Sequence, residues 1–235
     1  MQSEKMEERV FTYKYPRPGV TTDCVIFGFD GTKLQVLLVE RGAEPYKGRW
    51  AFPGGFLNID ESCEEGALRE LQEETGLDGA YIEQFHTFSD PGRDPRGRVI
   101  TVAYYALVRM QDVRAGDDAA KAEWFALGNV PPLAFDHGMI LSEAIKRLRE
   151  RIHFEPVGLG LLSGKFTMRQ LQNLYEAILD VHFDSSVFAG KMLRLNILRP
   201  FGDTVRPAPE RNAVMYSFDE KRYNELKQNG LLIVF

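Results

Sequence analysis

The stretch GFLNIDESCEEGALRELQEETGL, residues 55–77, decides the reading of this chain. Strong helix formers fill residues 61–75, Asp60 stands where an N-cap is expected, and Gly76 supplies a C-terminal stop. On a helix with 3.6 residues per turn, Glu70, Glu73 and Glu74 fall within an arc of about 100°. Like charges at that spacing repel, so the run is either a face solvated by water or a face that holds a cation. The preceding loop, Trp50-Ala51-Phe52-Pro53-Gly54-Gly55, favours the cation, because paired glycines permit a close and irregular backbone course beside the helix. Carboxylate oxygens are hard ligands and select Mg²⁺ or Mn²⁺. Ala67, Leu68, Leu71 and Thr75 form the adjoining, less polar face, suited to packing on a sheet.

Moving outward, Val20 to Phe29 and Leu34 to Glu40 are β-branched and apolar, and Asp30-Gly31-Thr32-Lys33 between them has hairpin-turn chemistry. Val99 to Val108 and Ala122 to Leu127 read as further strands. His137 to Ile152 reads as an amphipathic helix with Ile140, Leu141, Ala144, Ile145 and Leu148 at helical spacing. From about residue 154 the elements shorten. Thr167 to Leu179 and Ser185 to Leu195 are predicted helices, and a strand, loop and strand follow from Ile197. Helix, helix, hairpin is the order of a winged helix, which divides the chain into an α/β domain over 1–152 and a winged-helix-like domain over 153–235.

The 235 residues are 44% hydrophobic and 27% charged, as in an ordinary globular protein with room for two cores. A formal charge of −5 excludes a general nucleic-acid binder, so any DNA contact must be local. Cys24 and Cys63 give no disulfide framework and read as packing residues of a reducing compartment. The first eighteen residues, with Glu4, Lys5, Glu7, Glu8 and Arg9, hold no signal-peptide or membrane-spanning run. The expectation is a cytoplasmic protein with no membrane partner.

Gly55, five residues, Glu61, seven residues, then Arg69-Glu70-Leu71-Gln72-Glu73-Glu74-Thr75-Gly76-Leu77 resembles the Nudix signature at every fixed position. The resemblance implies an α/β/α sandwich with a mixed sheet. It further implies a Mg²⁺-dependent pyrophosphohydrolase that cleaves a nucleoside diphosphate linked to another group. In it Glu70, Glu73 and Glu74, with a backbone carbonyl near Gly54, hold the metal, while Glu61 and Arg69 brace the loop and helix. The general base comes from this helix or from an acidic loop. Asp117, Asp118 and Glu123 are the loop candidates, and Asp118 is the choice among them.

Ser89-Asp90-Pro91-Gly92-Arg93-Asp94-Pro95-Arg96-Gly97-Arg98 joins prolines, glycines and three arginines, and guanidinium forks grip phosphate oxygens. Arg93, Arg96 and Arg41 are the expected contacts to substrate phosphate or ribose. With Ala134-Phe135-Asp136-His137, this loop resembles the ADP-ribose-handling branch of the family. Pro91 and Pro95 are the nearest counterparts of a proline that marks ADP-ribose hydrolases. Tyr46, Trp50 or Phe88 could stack on adenine, although each also reads as packing. His86, His137, His153 and His182 have no metal-site spacing; His137 reads as a helix-start residue.

The domain order also resembles the Nudix-related transcriptional regulators, which bind operator DNA as dimers through a winged helix and release it on binding a nucleotide or sugar. The primary expectation is therefore a hydrolase of ADP-ribose or a similar nucleotide sugar, acting as a homodimer. The alternatives are a repressor that senses such a ligand and a catalytically silent sensor. The predicted recognition helix departs from those regulators: Val187-Phe188-Ala189-Gly190-Lys191 lacks two cations and places a glycine there. Lys191, Arg194, Arg199, Arg206 and Arg211 remain, but residues 155–235 carry ten basic against nine acidic side chains, so DNA binding and a dimerisation or shielding role stand level.

Overall fold

The computed structural model of the chain describes residues 12–77, 81–110, 119–201 and 214–228. Its elements, in order, are β1 (Gly19–Phe29), β2 (Leu34–Arg41), β3 (Trp50–Ala51), β4 (Gly54–Phe56), α1 (Cys63–Thr75), β5 (Ile82–Phe88), β6 (Val99–Leu107), β7 (Ala119–Ala126), α2 (His137–Ile152), β8 (Phe166–Thr167), α3 (Met168–Leu179), α4 (Ser185–Arg194), β9 (Leu198–Phe201), β10 (Met215–Phe218) and α5 (Glu220–Gln228). Asp117, Asp118, Arg206 and Arg211 lie outside the described residues.

The large sheet runs β3-β2-β1-β6-β5, with β4 added on β1 and β7 on β2. It is mixed: β1 lies parallel to β6 and antiparallel to β2 and β4. The hairpin between β1 and β2 forms as its sequence dictates. Asp30 Oδ1 accepts from the backbone N–H groups of Thr32 and Lys33 at 2.8 and 2.7 Å, while Gly31 takes φ 99°, a conformation that L side chains resist.

Strand alternation separates two apolar clusters. Cys24, Ile26, Leu37, Tyr104 and Ala106 face α1, where they meet Ala67 and Leu71. Val25, Phe27, Val36, Leu38, Ala103 and Tyr105 face the other way, toward Ile140, Ala144, Leu148 and Ile152 of α2. That second cluster continues without a break into Leu171, Leu174, Tyr175 and Ile178 of α3 and Phe188 and Met192 of α4. The two cores are thus divided by the sheet rather than by the domain boundary. Arg149 Nε donates to the Ile178 carbonyl at 2.8 Å, Arg109 Nε to the Leu162 carbonyl at 3.0 Å, and Asn173 Nδ2 to the Gly31 carbonyl at 3.3 Å, so polar contacts also tie the halves together.

The C-terminal domain has the winged-helix order: α3 and α4, then a sheet ordered β8-β10-β9. Thr167 is the N-cap of α3 and closes a capping box with Gln170, rather than being its first residue. α5 has only one buried residue, Tyr223, and its weak apolar pattern gave no sequence signal. Among the described residues no helix is long and apolar enough to cross a membrane.

Candidate functional site

α1 begins two residues later than the sequence suggests. Ser62, not Asp60, is the N-cap: its hydroxyl accepts from the Glu65 N–H while Glu65 Oε2 accepts from the Ser62 N–H at 2.8 Å. That reciprocal pair satisfies two end amides at once. Glu61 is therefore a loop residue. Arg69 reaches back to it with both ends of its guanidinium, Nε to Oε2 at 3.0 Å and Nη2 to Oε1 at 2.7 Å. The Arg69 fork and the Asn58 N–H hold the Glu61 carboxyl down to about 2.

Arg69 Nη1 also donates to Glu70 Oε1 at 2.8 Å and to Glu73 Oε2 at 3.0 Å. Glu74 turns the other way and accepts from the Gly54 N–H at 3.0 Å. Burial pushes Glu74 up to about 7, with Glu70 and Asp23 adding like-charge repulsion, and burial likewise raises Glu70. Among the described residues no three His, Cys, Asp or Glu groups are drawn into a ready-made cage. The donor set nonetheless fits a hard divalent cation: two half-buried carboxylates repel each other, and one of them fits only because Gly55 has no side chain. A Cβ on Gly55 would come within 2.2 Å of Glu70 Oε1. Gly54 is required for a different close approach, since a Cβ there would meet the Thr22 carbonyl oxygen at 2.2 Å. Neither glycine takes a positive φ, so closeness, not backbone freedom, explains the pair.

Beside the carboxylates lies a small cleft of about 70 Å³ lined by Thr21, Asp23, Arg41, Gly54, Gly55, Phe56, Arg93, Arg96, Phe135 and His137, among others. A neighbouring hollow shares Arg41, Phe52 and Gly54 with it and reaches Glu74. The loop before α2 is brought here by the Ala134 N–H donating to the Trp50 carbonyl at 2.8 Å. Phe135 and Tyr46 both adopt left-handed backbone, φ 50° and 66°, and their rings meet edge to face at 4.8 Å. Strain of this kind, in residues that disfavour it, concentrates at ligand sites.

The three arginines expected to grip phosphate separate by environment. Arg93 is buried, its Nε and Nη2 forked onto Asp136 at 2.9 and 2.8 Å, with Asp23 at 3.5 Å. Its guanidinium lines the cleft already ion-paired. Arg96 pairs with Asp94 at 2.6 Å but lies over the Phe56 ring at 4.9 Å and is half-exposed. Arg41 has no carboxylate in ion-pair range among the described residues. Its Nε donates to the Pro45 carbonyl at 2.8 Å and its guanidinium rests 4.7 Å over Phe135. Burial, then repulsion from Arg96, lowers its affinity for a proton, while Glu74, Asp94 and Asp23 act in the opposite direction. Thr21 adds a buried hydroxyl with no hydrogen-bond partner among the described residues.

Asp23 and His137 were not anticipated as cleft residues. His137 is fully enclosed at the start of α2: its Nδ1 accepts from the Phe52 N–H at 3.0 Å, and Asp23 lies 3.6 Å from Nε2. Burial depresses its pKa, so it stays neutral. The available signal was a lone acid within the apolar run Val20–Phe29. Trp50 packs on Phe125, Phe88 is buried and neither lines the cleft, whereas the Tyr46 ring meets that of Phe135, which does. Glu123 lies on β7 opposite Leu38 and ion-pairs with Lys121, away from the cleft.

A family model described as the NUDIX domain matches residues 17–147. The chain belongs to the Nudix family. A second model, the NrtR DNA-binding winged helix domain, matches residues 158–218. The ADPR responsive transcriptional repressor NtrR of Acinetobacter baylyi is 34% identical over 215 residues, 89% of this chain and 86% of its own. The ADP-ribose pyrophosphatase of Methanocaldococcus jannaschii is 40% identical over 132 residues, covering 56% of this Nudix chain and 76% of that protein. The structure of Shewanella oneidensis NrtR complexed with a 27mer DNA superposes with a TM-score of 0.75 at 33% identity, over 87% of this chain and 95% of that one.

Proposed function

We propose that this Nudix protein is a DNA-binding transcriptional repressor whose Nudix cleft senses ADP-ribose. The observation that carries this reading is the apolar cluster that runs from the sheet through α2 into α3 and α4, making the cleft and the winged helix parts of one body. The likeness to the Acinetobacter repressor, which spans both domains, supports it. The reading replaces hydrolysis as the leading function, because hydrolysis leaves the winged helix without a role.

In the cleft, Arg41 and Arg96 bind the diphosphate, Thr21 offers its hydroxyl, and Phe135 with Tyr46 forms the wall for the nucleoside or ribose. A homodimer would present two copies of α4 to a two-fold symmetric operator in the cytoplasm. The test is fluorescence anisotropy of duplexes from the gene's own upstream region, with ADP-ribose titrated into the complex. Salt-sensitive binding that ADP-ribose reverses is expected; binding that ignores ADP-ribose would remove the sensor role.

Turnover is a second reading, favoured by the intact Glu70, Glu73 and Glu74 and by the likeness to the Methanocaldococcus enzyme. Those carboxylates would hold Mg²⁺ or Mn²⁺, which would neutralise diphosphate charge and activate water. Arg69 positions Glu70 and Glu73, and Gly54 positions Glu74 through its N–H. Metal-dependent AMP release that Glu73→Gln abolishes would establish it.

A further inference from the structure

The outward face of α4 contains a glycine that nothing among the described residues explains. Phe188 and Met192 are the buried residues of this helix, and at about 100° per residue the direction opposite them passes through Gly190, flanked by Ser186, Val187, Leu193 and Arg194. Glycine inside a helix costs stability relative to alanine. In α1 such a cost at Gly66 goes with close packing, since a Cβ there would meet Leu57 Cδ2 at 2.3 Å. At Gly190 the φ is not positive, and among the described residues a Cβ would meet only Arg194 Nη2 at 3.7 Å, an ordinary contact. Beside it Val187 is 55% exposed, an apolar side chain on the face where a DNA reader would carry cations.

Phosphate is a poor ligand for the start of this helix. The Asp184 carboxylate already accepts from the Ser186 and Val187 N–H groups, both at 3.0 Å, and puts negative charge there. Arg194 is turned back along the helix, its Nε on the Gly190 carbonyl at 3.1 Å. In the major groove the group that matches a small apolar surface is the 5-methyl of thymine.

We infer that α4 reads its operator by close backbone approach at Gly190 and by apolar contact of Val187 with a thymine methyl, rather than by cation contacts to guanine. This rests on the DNA-binding reading above. It explains why the residues after Phe188 can be small and uncharged in a DNA-binding helix: Gly190 lets the α4 backbone settle nearer the base edges than any side chain permits, and the shorter distance brings Val187 within reach of the methyl.

The experiment starts with the full-length protein selecting duplexes from a random library. Affinities are then measured for the selected duplex and for copies with single thymines replaced by deoxyuridine, which removes only the methyl. Gly190→Ala should melt no lower than the parent, since its Cβ has room, yet bind the selected duplex severalfold more weakly. At least one deoxyuridine in each half-site should weaken the parent about fourfold, the effect of leaving one methyl unburied, and should leave Val187→Ala unaffected. Equal DNA affinity of Gly190→Ala and parent, or indifference to every deoxyuridine, overturns the inference and leaves DNA binding standing. Failure to select any duplex overturns the DNA-binding reading, and this inference with it.

Discussion

Arg93 and Asp136, 43 residues apart in sequence, meet fork to fork at 2.9 and 2.8 Å and pin the arginine-rich loop to the start of α2. Arg93 and Asp23 are buried and Asp136 is largely so, and removing the guanidinium leaves these two carboxylates without their cation. Arg93→Met is expected to destabilise the fold by about 3–5 kcal/mol in urea unfolding. Arg41 has no such partner among the described residues, and Arg41→Ala should cost about 1 kcal/mol or less and instead weaken ADP-ribose binding at least tenfold by calorimetry. Equal stability losses in the two variants would mean that the environments of these arginines do not differ as described.

Gly54 and Gly55 should respond differently to alanine. At Gly54 the new Cβ collides with the Thr22 backbone, and relief requires moving β4 from β1, so a loss of about 1–3 kcal/mol is expected. At Gly55 the obstacle is the carboxylate end of Glu70, which can swing away. Gly55→Ala should therefore melt close to the parent and lose the stabilisation that Mg²⁺ gives, measured as the shift in Tm with added metal. A Gly55→Ala protein that responds to Mg²⁺ like the parent would take Glu70 out of the cation site.

Glu74 makes stability depend on pH in a stated direction. Its folded-state pKa, about 7, lies above the ordinary carboxyl value, so the fold prefers the protonated form. That contribution is fully present below about pH 4.5 and is lost as pH rises through 7. Without divalent metal, Glu74→Gln should match the parent at pH 5 and exceed it by about 1–3 kcal/mol at pH 8. Thermal melts at both pH values check this; a variant equally stable at pH 8 would show that the buried carboxylate carries no charge penalty.

The shared core predicts joint unfolding. Leu174 is fully buried in α3, within the cluster that reaches β1 and β2 of the Nudix sheet. Leu174→Ala should cost about 2–5 kcal/mol. Both tryptophans, Trp50 and Trp124, lie in the Nudix domain, so their fluorescence should move to lower denaturant along with the far-ultraviolet signal. Two separated transitions would mean that the domains unfold independently.

Much of this was legible from residues alone, because the information was local. Period-two and helical patterns fixed β1, β2, α2 and the winged-helix order, and the spacing from Gly55 to Leu77 fixed the family and the carboxylate helix. A capping choice between Asp60 and Ser62 was beyond it, since that depends on which side chain can also satisfy Glu65. Charge alone made Arg93, Arg96 and Arg41 equivalent. Only the tertiary structure separated them, by bringing Asp136 and Asp23 to one and leaving another beside Phe135 with no carboxylate in ion-pair range among the described residues. The same holds for Gly54 and Gly55, whose need for a missing side chain comes from β1 and α1, and for the single apolar cluster joining cleft to winged helix. Local sequence sets backbone preference and face polarity; which partner neutralises a buried charge is decided by residues that the fold alone makes neighbours.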